Sequence, residues 1–300
     1  KTTASIGLIT NNAKGQQLRG TRGFFNLTTL SASIKQELNE NMTLAYRFGY
    51  DDRNFGAQNF YTQFLSDTAT ESVISRWHHV KFQFSKNKHK FSFDAGYKEA
   101  ADVYRFRKAV SPNVNNSSLL QAIAIHDYKL TDNTTITSGL QYIGRKIISN
   151  DRGNHEVKAT GIFVLLNQKI GENLQLNPAL RADWNERSGW ELVPQVNASY
   201  RLEQFLFRAS AGRTTRDADF TERFNNYQRN SVPAGNRIGN PDLLSETSFS
   251  YELGTDYFNN EGGQGKNLIR KHPSMNLDGS YSTTDSGYSY FPGYAINVET

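Results

Sequence analysis

Apolar and polar residues alternate along most of the chain. Leu30, Ala32, Ile34 and Leu38 are apolar, while Thr29, Ser31, Ser33, Lys35 and Glu37 between them are polar. Met42, Leu44, Tyr46, Phe48 and Tyr50 alternate with Thr43, Ala45, Arg47 and Gly49. Val80, Phe82 and Phe84 alternate with His79, Lys81, Gln83 and Ser85. The same period runs through Phe91, Phe93, Ala95 and Tyr97, and through Leu174, Leu176, Pro178, Leu180, Ala182 and Trp184. Successive side chains of a strand point to opposite faces, so each segment carries one apolar and one polar wall. No apolar stripe of helical spacing stands out. Residues 119–130 and 159–170 are apolar on both faces; lying between clear strands, they read as strands too.

The connections carry a second rhythm. Short polar turns fall at Asn39-Glu40-Asn41, Lys86-Asn87-Lys88, Thr131-Asp132-Asn133, Gly171-Glu172-Asn173 and Glu203-Gln204. Longer polar stretches separate them, at 52–70, 100–117, 150–156 and 214–246. Hairpins explain the short links. Tight turns at one end and large loops at the other are the asymmetry of outer-membrane barrels. The strand-like segments run to about 12–18 residues, well beyond the roughly 5–6 of soluble strands. Tyr50, Trp77, Tyr97, Tyr142, Trp184 and Trp190 sit near the expected apolar boundaries, where amphipathic rings form girdles at headgroup level. The predicted fold is therefore all-β: a transmembrane, antiparallel, up-and-down β-barrel, with a soluble sandwich or β-helix as the competing reading.

Composition narrows the picture further. The 300 residues include no cysteine, which excludes a disulfide scaffold, a Cys-ligated zinc and a thiol nucleophile. A mean hydropathy of −0.65, with no run of 18 apolar residues, excludes transmembrane helices but not barrel strands. Aromatic residues at 12% argue against disorder. The net charge is +5, but Lys and Arg are scattered singly among Asp and Glu, which argues against nucleic acid as a partner. The first ten residues lack the features of a signal peptide.

Two segments point to a family. Gly212-Arg213-Thr214-Thr215-Arg216-Asp217-Ala218-Asp219-Phe220-Thr221-Glu222-Arg223-Phe224 follows a strand. After it come Gly239-Asn240-Pro241-Asp242-Leu243-Leu244-Ser245-Glu246-Thr247-Ser248 and Tyr251-Glu252-Leu253-Gly254. This order resembles TonB-dependent outer-membrane receptors, in which an Arg-containing aromatic loop, a GNP-x-L-x-x-E-x-S link and a YE-x-G strand succeed one another. Thr215-Arg216 stands where many relatives have Ala-Pro. Gly49 to Tyr61, with Phe55-Gly56-Ala57 and Phe60-Tyr61, is similar to a loop of receptors from Bacteroidetes-type bacteria, some of them similar to vitamin B12 receptors.

The resemblance implies a bacterial outer-membrane location and contact with outer-membrane lipid. It also implies active import of a scarce ligand, of metal-siderophore or cobalamin type. Energy would come from the TonB–ExbB–ExbD complex through a plug domain. Haem and oligosaccharide or peptide cargo belong to the same architecture, and a surface lipoprotein is a further candidate partner. Neither a TonB box nor a plug is visible, and Asn297-Val298-Glu299-Thr300 reads as the opening of another strand. Residues 1–300 are thus expected to form an internal part of the barrel domain, without plug or C-terminal strands. They would supply about 12–14 of the roughly 22 strands of a plugged transporter.

Catalytic signatures are missing: no G-x-S-x-G, no H-E-x-x-H and no phosphate loop, so no catalytic residue, metal site or cofactor is assigned and the chain is not read as an enzyme. His78 and His79 are adjacent, but in a strand they face opposite sides and cannot share an ion. Asp51-Asp52 and the pair Asp217/Asp219 read most simply as solvated loop charge, as does glycine-rich 262–265 as a turn. Lys35, Glu37, Arg47, Lys81, Asp94, Lys98, Arg181, Asp183, Asn197 and Arg201 would line the lumen. The candidate ligand-binding residues are Arg53, Asn59, Phe60, Tyr61, Arg213, Arg216, Asp217, Phe220, Arg223 and Tyr227, which mix cation, amide and aromatic groups in loop positions. The alternatives are an open diffusion porin without a plug, which would conduct in planar bilayers, and a barrel-borne enzyme or adhesin.

Overall fold

The computed structural model describes residues 1–18, 21–58, 68–230 and 237–258, together with strands at 269–271, 273–275 and 281–283. The alternating segments form long strands: β1 (Thr2–Ala13), β4 (Phe25–Asn39), β5 (Met42–Gly56), β6 (Thr70–Lys86), β7 (His89–Arg105) and β8 (Asn113–Thr131). They continue as β9 (Thr134–Ser149), β10 (Gly153–Ile170), β11 (Leu174–Asn185), β12 (Gly189–Leu202), β13 (Phe205–Arg216) and β14 (Glu246–Tyr257). A small hairpin, β2 (Gln17–Leu18) and β3 (Thr21–Arg22), lies between β1 and β4. The long strands pair in sequence order within one sheet, each antiparallel to the next. The two ambiguous apolar segments lie inside β8 and β10, as their neighbours suggested.

The two walls are inverted relative to a soluble protein. Large apolar side chains are exposed on one face, among them Leu140 at 52% and Ile162 at 56%. Buried polar or charged residues include Glu71, Asn185 and Asp256. A sheet whose apolar face is wet in isolation needs lipid against it, which is the arrangement of a membrane barrel wall. The register places all ten predicted lumen residues on the face opposite the exposed apolar one, for example Lys81 opposite Asp94 and Arg181 beside Asp183. In the described residues β1 pairs only with β4, leaving its other edge open.

Proline is accommodated where the ladder can spare a donor. Pro178 sits where the β10–β11 ladder is interrupted, between Leu165–Ala179 and Gln168–Leu176. Pro194 lies just before the β12–β13 ladder begins at Gln195.

Three expectations need correction. The stretch 150–156 is not a long loop: β9 ends at Ser149 and β10 begins at Gly153, with Ser149 Oγ accepting the amides of Asp151 and Arg152 to close a tight turn. A second tight turn, closed by Asn185 Oδ1 accepting from Arg187 and Ser188, falls at 186–188 on the same end. The large loops are therefore interleaved with hairpins. Trp77 does not join the outer girdle: it shares the inner face with Gly49, its cross-strand partner, whose missing side chain leaves room for the indole. The long connection after β13 also holds one helical turn, α1 (Phe220–Phe224), where no helix was expected.

Candidate ligand-binding site

The segment between β13 and β14 folds back on the sheet end through single-residue contacts. Asp219 starts α1 as its N-cap: its carboxylate accepts from the amides of Thr221 and Glu222 at 2.7 and 2.8 Å, and Glu222 accepts the Asp219 amide at 2.7 Å. Arg216 clamps the base of the loop, reaching both oxygens of Glu222 at 2.9 and 3.1 Å and both oxygens of Glu246 at 3.1 Å. The Arg216 hydrogen bonds, then the Asp219 amide, hold the Glu222 carboxyl below the usual value. Asp217 accepts from Asn185 on one oxygen and from Ser245 on the other.

The family-like motif at 239–246 closes this loop. The Gly239 amide donates to Asn225 O at 3.1 Å, and the Asn240 amide to Glu222 O at 3.0 Å. A β-carbon on Gly239 would stand 2.6 Å from the Phe224 nitrogen and closer still to that of Asn225, so only glycine fits. Asn240 Oδ1 turns the chain by accepting the Asp242 amide at 3.0 Å. Pro241 O accepts from Arg187 and Arg223, and Leu243 O accepts from Arg187 at 2.7 Å. Burial, and then the neighbouring Arg187, push the Arg223 guanidinium below its usual pKa.

The underside of the loop rests on the β9–β10 hairpin. Phe224 is 5% exposed and stacks on His155 with ring centroids 3.5 Å apart. Tyr227 meets Phe224 edge-on, and Arg237 lies 5.5 Å over the Tyr227 ring. Asp151, 1% exposed, takes the Gln228 amide on its backbone oxygen and the Asn226 amide on its carboxylate. Arg152 and Arg229 stand 3.7 and 3.9 Å from that carboxylate.

The structure divides the sequence candidates. Arg213, Arg216, Asp217, Phe220, Arg223 and Tyr227 share one loop system. Arg213 bonds to Glu191 at 2.7 Å, and Arg216, Asp217 and Arg223 serve the clamps above. Phe220 stacks at 6.3 Å from His155. Arg53 lies apart in β5, half exposed, 3.8 Å from Asp51; strands β6 to β12 separate it from the loop in the sheet order. Asn59, Phe60 and Tyr61 lie outside the described residues. Asp151, His155 and Asn185, which anchor the loop, were not singled out by sequence: each lies on a hairpin or strand end remote in the chain. Below the mouth, the inner wall carries ion-pair networks, with Asp94 bound to His79 at 3.0 Å and Lys81 at 3.2 Å, and Arg181 to Asp183 and Gln141 at 2.7 Å. Among the described residues, no group of three or more acidic or histidine side chains could hold a metal ion.

The family described as TonB-dependent receptor-like, β-barrel matches residues 3–268. The chain belongs to that family. It forms part of a β-barrel of the bacterial outer membrane, and the proteins it resembles are receptors and transporters rather than enzymes. Similar folds include the siderophore receptor PirA of Acinetobacter baumannii, at 14% identity and a TM-score of 0.70, covering 94% of this chain and 52% of that one. The ferric enterobactin receptor PfeA of Pseudomonas aeruginosa, in complex with enterobactin, is 15% identical with a TM-score of 0.68, over 88% of this chain and 44% of the other. The copper transporter OprC is 10% identical with a TM-score of 0.68, over 90% and 48%. This receptor chain thus spans about half the length of the structures it matches. A sequence comparison with curated proteins finds no match.

Proposed function

We propose that the protein to which this chain belongs takes up a scarce ligand of metal-siderophore or cobalamin type across the outer membrane, driven by the TonB–ExbB–ExbD complex. The barrel domain seen here supplies part of the wall, and a plug and the remaining strands complete it. The observation that carries this reading is the family match over residues 3–268 combined with a charged inner wall. The wall's ion pairs are positioned to hold a plug in a water-filled lumen. At the mouth, Arg53, Arg213, Phe220 and Tyr227 offer the cations and rings that a chelate or corrinoid would meet.

Uptake of labelled ferric siderophores and cobalamin, with and without the energy-coupling complex, tests the proposal. Uptake should cease when the complex is deleted. Uptake that persists, with channel conductance in planar bilayers, would establish the porin alternative instead.

A further inference from the structure

The lipid-facing wall carries an imidazole pair close to the tight-turn end. His89 on β7 and His126 on β8 hydrogen-bond ring to ring, Nδ1 to Nε2, at 3.0 Å. They sit in a block of four rings: His89 stacks on Tyr128 at 4.8 Å, and Phe91 on His126 at 4.2 Å. The register pairs His89 with Tyr128 and Phe91 with His126, so all four share the face on which Phe91 and Phe93 are exposed. Lys86 is the cross-strand partner of His89 and points to the same face. Lys88, in the turn, donates to Leu130 O at 3.2 Å, which brings its ammonium to the end of β8, two residues past Tyr128.

Beside this block an apolar groove of about 730 Å³ crosses the outer face from β7 to β11. Phe91 and His126 line its β7–β8 end, Ala124 and Ser138 contribute small side chains, and Leu140 and Ile162 also line it. A second outer groove of about 700 Å³, against Tyr200, Ala209 and Leu253, has no histidine in its lining, and the one cation there, Arg208, is paired with Asp256. Apolar relief alone therefore does not explain the first site. Imidazoles and ammoniums on a lipid-facing wall are tolerated at headgroup depth, and a phosphate is the group there that they complement.

We propose that this is a binding site for one glycerophospholipid of the periplasmic leaflet. One ring donates in the His89–His126 bond and the other accepts. The accepting ring keeps its proton on its second nitrogen, and that N–H, with Lys86 and Lys88, holds the phosphate diester while an acyl chain lies in the adjoining groove. The periplasmic assignment follows from the tight turns, which face the periplasm in outer-membrane barrels. The site depends on the outer-membrane location and not on the identity of the cargo.

Native mass spectrometry of the whole protein, extracted from outer membranes in mild detergent, tests the proposal. Phospholipid and the matching diacylglycerol are added as probes. Wild-type protein should retain one phospholipid and release diacylglycerol. The double variant His89→Gln/His126→Gln should retain phospholipid about tenfold less well. Ala124→Phe, which fills the groove and leaves the rings in place, should lose it too, while Ala209→Phe in the second groove should not. Circular dichroism confirms that each variant is folded. Equal retention of diacylglycerol by wild type, unchanged retention in the double variant, or preference for lipopolysaccharide over phospholipid would each overturn the proposal.

Discussion

The strand wall and the loop between β13 and β14 solve the same problem by opposite means. The wall is repetitive: every strand is held by ladders to its neighbours, its apolar side chains face outward, and its charges face in. The loop is packed the ordinary way round, like a small soluble protein. It buries Phe224, the only buried aromatic side chain among the described residues, and ties itself down with one-of-a-kind contacts at Arg216, Asp217 and Gly239. In the wall, the face a residue occupies decides what it must be. In the loop, its individual partner does.

Breaking the face rule should have the largest effect. Leu140 is outward-facing and half exposed in β9, so Leu140→Arg would place a guanidinium against hydrocarbon. Such a substitution near the bilayer midplane costs about 2–4 kcal/mol. The folded, heat-resistant barrel band from outer membranes should fall sharply for Leu140→Arg. It should be little changed for Gln141→Arg, one residue away on the inner face beside Arg181. Equal loss in both would mean that lipid does not contact this wall.

Breaking a single loop contact should be milder and local. Gly239→Val would drive its β-carbon into the backbone of Arg223, Phe224 and Asn225. Forcing such a clash costs about 1–3 kcal/mol. The expected outcome is faster trypsin cleavage at Arg223 or Arg229 in intact cells, with the barrel still assembled. Barrel loss alongside it would show that the loop is needed for assembly and is not an addition to a self-sufficient wall.

The same contrast explains how far the chain could be read. The wall was legible because each strand repeats one local rule, and Pro178 or Trp77 disturbs it only locally. The tight turns at 150–152 and 186–188 were hidden because their polar residues look like loop. Their closure depends on single acceptors, Ser149 Oγ and Asn185 Oδ1. The family-like residues at 212–224 and 239–246 were found by resemblance, yet their pairing with one another and with Asp151, His155 and Asn185 needs the register of distant strands. His89 and His126 are 37 residues apart. Neither was singled out from the sequence, because only the register of β7 and β8 brings them together.

The smallest expected effect is on the acid side of the loop clamp. The Glu222 carboxyl is held below its usual value by hydrogen bonds from Arg216 and then from the Asp219 amide. A carboxylate depressed on folding stabilises the folded form above its unfolded value, near 4.3, and that contribution is lost as pH falls through the folded value. The side chain is partly exposed, so solvent screens the effect and its size stays within that of a surface ion pair, at or below about 1 kcal/mol. Pepsin cleavage at Phe220 and Phe224 should therefore accelerate as pH drops below about 4, beyond the enzyme's own pH response measured on a denatured control. Glu222→Gln should cleave faster at the upper end of the pepsin range and show a flatter dependence. If the variant and the wild type keep the same slope, Glu222 is not the group whose protonation opens the loop, and its clamp with Arg216 does not govern the acid response.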